Sequence, residues 1–97
     1  MDKKIELSEI YVYYRDLFTD KQIEYFDDYY LNDLSLGEIA DNYGVSRNAI
    51  FNQIKIVEER LIYYEDKLKL KEKREKVLDK LKDKIDEDLY QEIENIL

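Results

Sequence analysis

The chain has 97 residues, with 16 Lys or Arg against 24 Asp or Glu, a formal charge of −8, 44% hydrophobic residues and no proline, cysteine or histidine. Without cysteine there is no disulfide, thiolate nucleophile or thiolate metal site; without histidine the commonest general base and metal ligand are gone. The apolar content is too high for a disordered chain, and the length allows one domain or a small head with a helical extension.

The opening residues, MDKKIELSEI, lack the apolar stretch of a secretory signal. No apolar run approaches membrane-spanning length, so the expectation is a cytoplasmic chain with no membrane insertion. Residues 3–18 read as a first helix. Leu7, Ile10, Tyr11, Tyr14, Leu17 and Phe18 recur at helical spacing and predict one buried face. Val12 and Tyr13 lie off that face, as incidental surface apolars or as a subunit contact.

Thr19 with Gln22 makes a capping box and starts a second helix running to about Leu31. Ile23, Phe26 and Tyr30 point inward, with Tyr25 and Tyr29 as an aromatic flank. Asn32-Asp33 marks a short break. Asp27-Asp28, like Asp86-Glu87-Asp88 further on, is an acidic cluster read as surface charge, since neither has a fixed loop or supporting ligands.

The stretch from Ser35 to Leu61 follows the plan of a helix-turn-helix. Ser35 and Glu38 form a second capping box. Leu36, Ile39, Ala40 and Tyr43 supply a buried stripe, Ala40 being small where the next helix must cross closely. Gly44 stands where a left-handed residue ends the helix, Val45 tucks into the turn, and Ser46 caps the next helix. Ile50, Ile54, Val57, Leu61, Tyr64 and Leu68 then form an apolar seam of nearly heptad period. The opposite face carries the candidate nucleic-acid-binding residues Ser46, Arg47, Asn48, Phe51, Asn52 and Lys55. Arginine and asparagine make bidentate contacts to base edges, and lysine pairs with phosphate.

The ten tyrosines are read as core residues whose hydroxyls reach polar partners, in preference to platforms for unpaired bases. The recognition helix is expected to continue through IYYEDKLKL. Beyond it, LKLKEKREKVLDKLKDK is a solvated helix laced with i, i+4 pairs such as Glu72 with Lys76. Val77, Leu78, Leu81 and Ile85 give a thin apolar stripe. Asp86 can cap a last helix carrying Leu89, Ile93 and Ile96, a continuous helix being the alternative. Such a stripe must pack on the head or on a second copy. The predicted architecture is therefore all-α: a three-helix helix-turn-helix head with an extra N-terminal helix (residues 1–66) and a charged helical C-terminal extension (67–97).

Charge tempers the nucleic-acid reading. Residues 1–35 carry four basic against nine acidic groups, residues 36–64 three against four, and residues 65–97 nine against eleven. The reading head is the least acidic part but is not basic, and Glu58 and Glu59 lie on the recognition helix. No phosphate loop, metal site or nucleophile–base pair is visible, so neither a cofactor nor an enzyme activity is expected.

From Leu17 to Leu70 the chain resembles the YlxM family of small bacterial helix-turn-helix proteins associated with the signal recognition particle, related in outline to region 4 of sigma factors. The words that carry it are TDKQ, YFDDYYLNDLSLGEIA and GVSRNAI, then NQIK and YEDKLKL. The resemblance implies an all-helical protein with a regulatory or accessory role in that targeting pathway, and DNA-reading residues between Ser46 and Lys55. Family members commonly carry an acid where Asn52 stands and a basic residue where Ile56 stands; this chain differs at both. The expected partners are DNA or RNA and components of the particle, with a homodimer reading two half-sites. The competing reading is a protein-interaction module that binds no nucleic acid, with Phe51 and Ile56 exposed to the partner.

Overall fold

The computed structural model describes residues 3–97 and is all-α. Its helices are α1 (Lys3–Tyr14), α2 (Asp20–Tyr30), α3 (Leu36–Tyr43), α4 (Arg47–Leu68), α5 (Leu70–Leu81) and α6 (Glu87–Ile96), with a 3₁₀ turn at Arg15–Leu17. Among the described residues no helix is long and apolar enough to cross a membrane.

Local chemistry sets most of the boundaries. Thr19 Oγ1 accepts from the Gln22 amide at 3.2 Å, and the Gln22 side chain accepts from the Thr19 amide at 3.1 Å. Ser35 and Glu38 repeat this box at 3.1 Å in both directions. Such reciprocal bonds satisfy amides that a helix start otherwise leaves free. Asp86 accepts from the Leu89 amide at 2.8 Å and opens α6 as a separate helix, which removes the continuous-helix alternative.

Helix α4 is the spine, about 33 Å long at 1.5 Å per residue. Its Val57 and Leu61 join Leu7, Ile10, Tyr11, Tyr14, Phe18 and Phe26 in one core cluster. Its Ile50 and Ile54 join Tyr25, Ile39 and Ala40 in a second. The α1 face thus packs on the C-terminal half of α4, and α3 packs on its N-terminal half. Each fully buried side chain of this size contributes about 1.5–3 kcal/mol relative to exposure.

Buried tyrosines carry their hydroxyls to carboxylates. Tyr11 donates to Asp27 at 2.7 Å, Tyr14 to Glu65 at 2.7 Å and Tyr43 to Asp28 at 3.2 Å; Tyr30 donates to Glu58. Burial, reinforced by the adjacent Asp27, pushes the Tyr11 phenol far above its usual range. Burial and then Glu65 push Tyr14 the same way. Arg15 completes the first site with a 3.1 Å ion pair to Asp27. The Asp27-Asp28 cluster is therefore a pair of hydrogen-bond acceptors within the head.

Several expectations fail for tertiary reasons. The first helix ends at Tyr14, because the chain must become extended before Thr19 can cap. The tighter 3₁₀ turn rotates Leu17 off the buried stripe, leaving it 58% exposed, while extended Phe18 still reaches the core. Val45 is exposed: its amide, not its side chain, serves the turn by donating to the Ala40 carbonyl at 3.1 Å. Leu68 is also exposed, beyond the reach of either core cluster.

The recognition helix does not run through to Leu70. Lys69 adopts φ 54°, ψ 35°, a left-handed conformation uncommon for a residue with a side chain. No side chain of its own caps α5. Glu65 does so from the preceding helix, accepting from the Lys71 amide at 3.2 Å and the Glu72 amide at 3.0 Å. Tyr14 accepts from the Leu70 amide at 3.1 Å. Lys71 adds ion pairs to Glu75 at 3.0 Å and to Glu9 of α1 at 3.6 Å. Along the exposed side of α5, Glu72 pairs with Lys76 at 3.0 Å as the spacing predicts.

Candidate nucleic-acid interface

The turn between α3 and α4 depends on Gly44, at φ 66° and ψ 34°. Only glycine takes this left-handed conformation at little cost. It lets the amides of Gly44 and Val45 both donate to the Ala40 carbonyl, closing α3. Ser46 then becomes extended and its Oγ accepts from the Ala49 amide at 3.1 Å, which starts α4.

The seam fixes the rotation of α4. With Ile50 and Ile54 against Ile39 and Ala40, the far side must face outward. Ser46, Arg47, Asn48, Phe51, Asn52 and Lys55 are all exposed, as the spacing predicts. Asn48, Phe51, Asn52 and Lys55 fall at i, i+3, i+4 and i+7 and so share one face. The side chains of Arg47, Asn48, Asn52 and Lys55 make no hydrogen bond or ion pair with any described residue. Phe51, 48% exposed, sits among them.

Two of the six stand apart. The Ser46 hydroxyl is committed to its cap, so what it offers a ligand is limited. Arg47 lies at the rim of a shallow groove with Asp33, Ser35, Glu38 and Tyr29. Ile56 is half-buried, so it does not extend the exposed apolar surface beside Phe51.

The electrostatics of α4 change along its length. Its first turn contains no acid, and the free amides there add partial positive charge. Of the two acids counted against this helix, Glu58 is turned toward α2, where it accepts from Tyr30; Glu59 remains exposed. Gln22 donates to Gln53 at 3.3 Å and ties the start of α2 beside this surface. Lys21, next to Gln22, lies 5.0 Å from the centre of the Tyr43 ring and pairs with Glu24 at 3.2 Å. Its charge is thus engaged by Glu24 and the Tyr43 ring of α3. Among the described residues no cluster of three or more carboxylates is arranged to hold a metal ion.

Comparison with known proteins points to the same helix-turn-helix plan. The family model described as "Putative helix-turn-helix protein, YlxM / p13 like" matches residues 1–96. UPF0122 protein BH2485 of Halalkalibacterium halodurans is 43% identical over 89 residues, covering 89% of this chain and 82% of that protein. UPF0122 protein ABC2295 of Shouchella clausii is 48% identical over 75 residues, covering 77% and 69%. A UPF0122 protein of Bacillus thuringiensis is 43% identical over 91 residues, covering 91% and 83%.

Proposed function

The chain belongs to the YlxM / p13-like helix-turn-helix family, and on that premise we propose that it is a nucleic-acid-binding regulatory protein whose reading surface is the first two turns of α4. One observation carries the reading: Arg47, Asn48, Asn52 and Lys55 are exposed and unengaged, on a helix whose nearest acid, Glu58, is held by Tyr30. Donors left free at the N-terminal end of a second helix are what base edges and phosphates require. Arg47, Asn48 and Asn52 are the base-reading residues, and Lys55 is the phosphate contact. The pathway assignment, an accessory or regulator of signal recognition particle targeting, draws on the resemblance of TDKQ, YFDDYYLNDLSLGEIA and GVSRNAI to that family.

Fluorescence anisotropy against labelled duplex DNA and against signal recognition particle RNA, each across a salt series, tests both parts. Binding should weaken steeply with salt, since released counterions supply much of the affinity. Arg47→Ala with Lys55→Ala should weaken binding at least about tenfold and reduce the salt slope by about 1 for each lost phosphate contact. Preference for the RNA would favour work on the particle, and preference for DNA would favour transcriptional control. Absence of binding to either at low salt would transfer α4 to the second reading. That reading is a protein-docking face centred on Phe51, favoured by its exposure and by the net negative charge.

A further inference from the structure

The C-terminal helices are ordered with very little core of their own. α5 and α6 form a helical hairpin in which Arg74 donates to the Glu94 carbonyl at 3.4 Å. Leu78 is the one buried residue in residues 70–97, and neither core cluster includes a residue beyond Leu61. Most helical stability in proteins comes from packing an apolar face, and this hairpin packs little of its own. Within the chain α6 packs mainly on α5, and α5 meets the head at its first turn, where Tyr14, Glu65 and Glu9 hold it. The molecule is 53 Å long with a radius of gyration of 16.6 Å, against about 13 Å for a compact domain of this size.

The outward stripes of the two helices carry opposite charge. On α5, Lys73, Val77 and Lys80 follow one another at i, i+4 and i+7, and all are exposed. On α6, Leu89, Glu92 and Ile96 follow at i, i+3 and i+7, with Leu89 41% and Ile96 82% exposed. One stripe is cation, apolar, cation; the other is apolar, acid, apolar. Residues 67–84 hold nine Lys or Arg against four Asp or Glu, and residues 85–97 hold five acids and no base. Lys73, Lys80, Lys82, Lys84, Glu87, Asp88 and Glu92 nevertheless form no ion pair with any described residue. A single chain thus carries both halves of a charge match and leaves them unmatched. A two-fold axis would bring each half onto the other twice, because an isologous interface places α6 of each copy on α5 of its mate.

We propose that the outer face of the α5–α6 hairpin is the docking site for a second copy of this chain. The acidic, apolar α6 packs against the lysine-flanked stripe of the opposite α5, and the two hairpins form a four-helix bundle that holds the heads apart. Helices about 18 and 15 Å long and about 10 Å wide give a footprint below the roughly 800 Å² per partner of a standard interface. The dimer is therefore of micromolar strength and weakens with salt. The surface is separate from α4 and does not depend on the nucleic-acid reading.

Sedimentation velocity of the full chain, from low to high micromolar and at low and high salt, tests it. The expected result is a monomer–dimer equilibrium shifted toward monomer by salt. Ile96→Glu should raise the dissociation constant at least about tenfold, the loss of one buried apolar contact. Lys80→Glu and Glu92→Lys should each weaken self-association, and mixing these two variants should recover it, because the opposed charges then sit on different copies. Circular dichroism of each variant checks that the hairpin is still helical. The proposal is overturned by a chain that stays monomeric throughout. It is equally overturned by a dimer indifferent to all three changes, or by a mixture that associates no better than its components.

Discussion

The head and the C-terminal hairpin are both helical, yet different forces hold them. The head closes two apolar clusters around α4 and seals four tyrosine hydroxyls onto carboxylates. The hairpin has one buried leucine, a borrowed cap and surface ion pairs. Exposed ion pairs contribute little, and most helical stability in proteins comes from packing an apolar face. The head's helices are therefore specified by burial, and the hairpin's depend on what touches them.

The largest effect that would separate the two regions comes from truncating each core. Phe26 of α2 is completely buried against α1 and α4, and Phe26→Ala should cost the head about 3–5 kcal/mol. Leu78→Ala should leave the head's urea midpoint unchanged and lower only the helical signal of residues 70–97. Equal loss of head stability in both variants would mean that the two regions unfold as one cooperative unit.

A smaller effect probes the junction. Glu65→Ala removes the acceptor for Tyr14 and for the Lys71 and Glu72 amides. Leaving such groups without a partner costs about 1–3 kcal/mol. Hydrogen exchange should show the first turn of α5 losing protection while Ile39 and Ile50 keep theirs. Unchanged protection at Lys71 and Glu72 would show that the Lys71–Glu9 pair suffices to dock α5.

The smallest effect at neutral pH appears in alkali, and it belongs to the head alone. Burial and Asp27 raise the Tyr11 phenol above its ordinary value, so the folded state holds its proton after the unfolded chain has lost it. This contribution is fully present below about pH 10 and is lost as pH rises from there toward the folded value. Stability should fall above about pH 10, and Tyr11→Phe should flatten that fall while costing about 1 kcal/mol near neutrality. An alkaline profile unaltered by the substitution would assign the fall to other tyrosines.

How legible each feature was depended on whether its cause is local. Thr19 with Gln22, Ser35 with Glu38, Ser46, Gly44 and Asp86 each act within four residues, and each helix boundary they predict is present. The exposure of Asn48, Phe51, Asn52 and Lys55 was equally readable, because burying Ile50 and Ile54 dictates which way the other face points. The end of α4 at Lys69 was not readable. Lysine signals no left-handed residue, and the cap that stabilises the break comes from Tyr14 and Glu65. The withdrawal of Glu58 to Tyr30, the placement of Lys21 against the Tyr43 ring and the loss of Leu17 from the core likewise arise from contacts between helices or from the demands of the next cap.

The joining of α1 to the far end of α4 also sets a clock. Tyr14 finds Glu65 and the Leu70 amide 51 and 56 positions later, and its neighbours pack on Val57 and Leu61. A ribosome adding about 5–20 residues per second takes about 3–10 s to supply those partners. Until then the contacts of α1 with Val57, Leu61 and Glu65 of α4 cannot form, and only nearer partners such as Phe18 and Phe26 cover part of its apolar side.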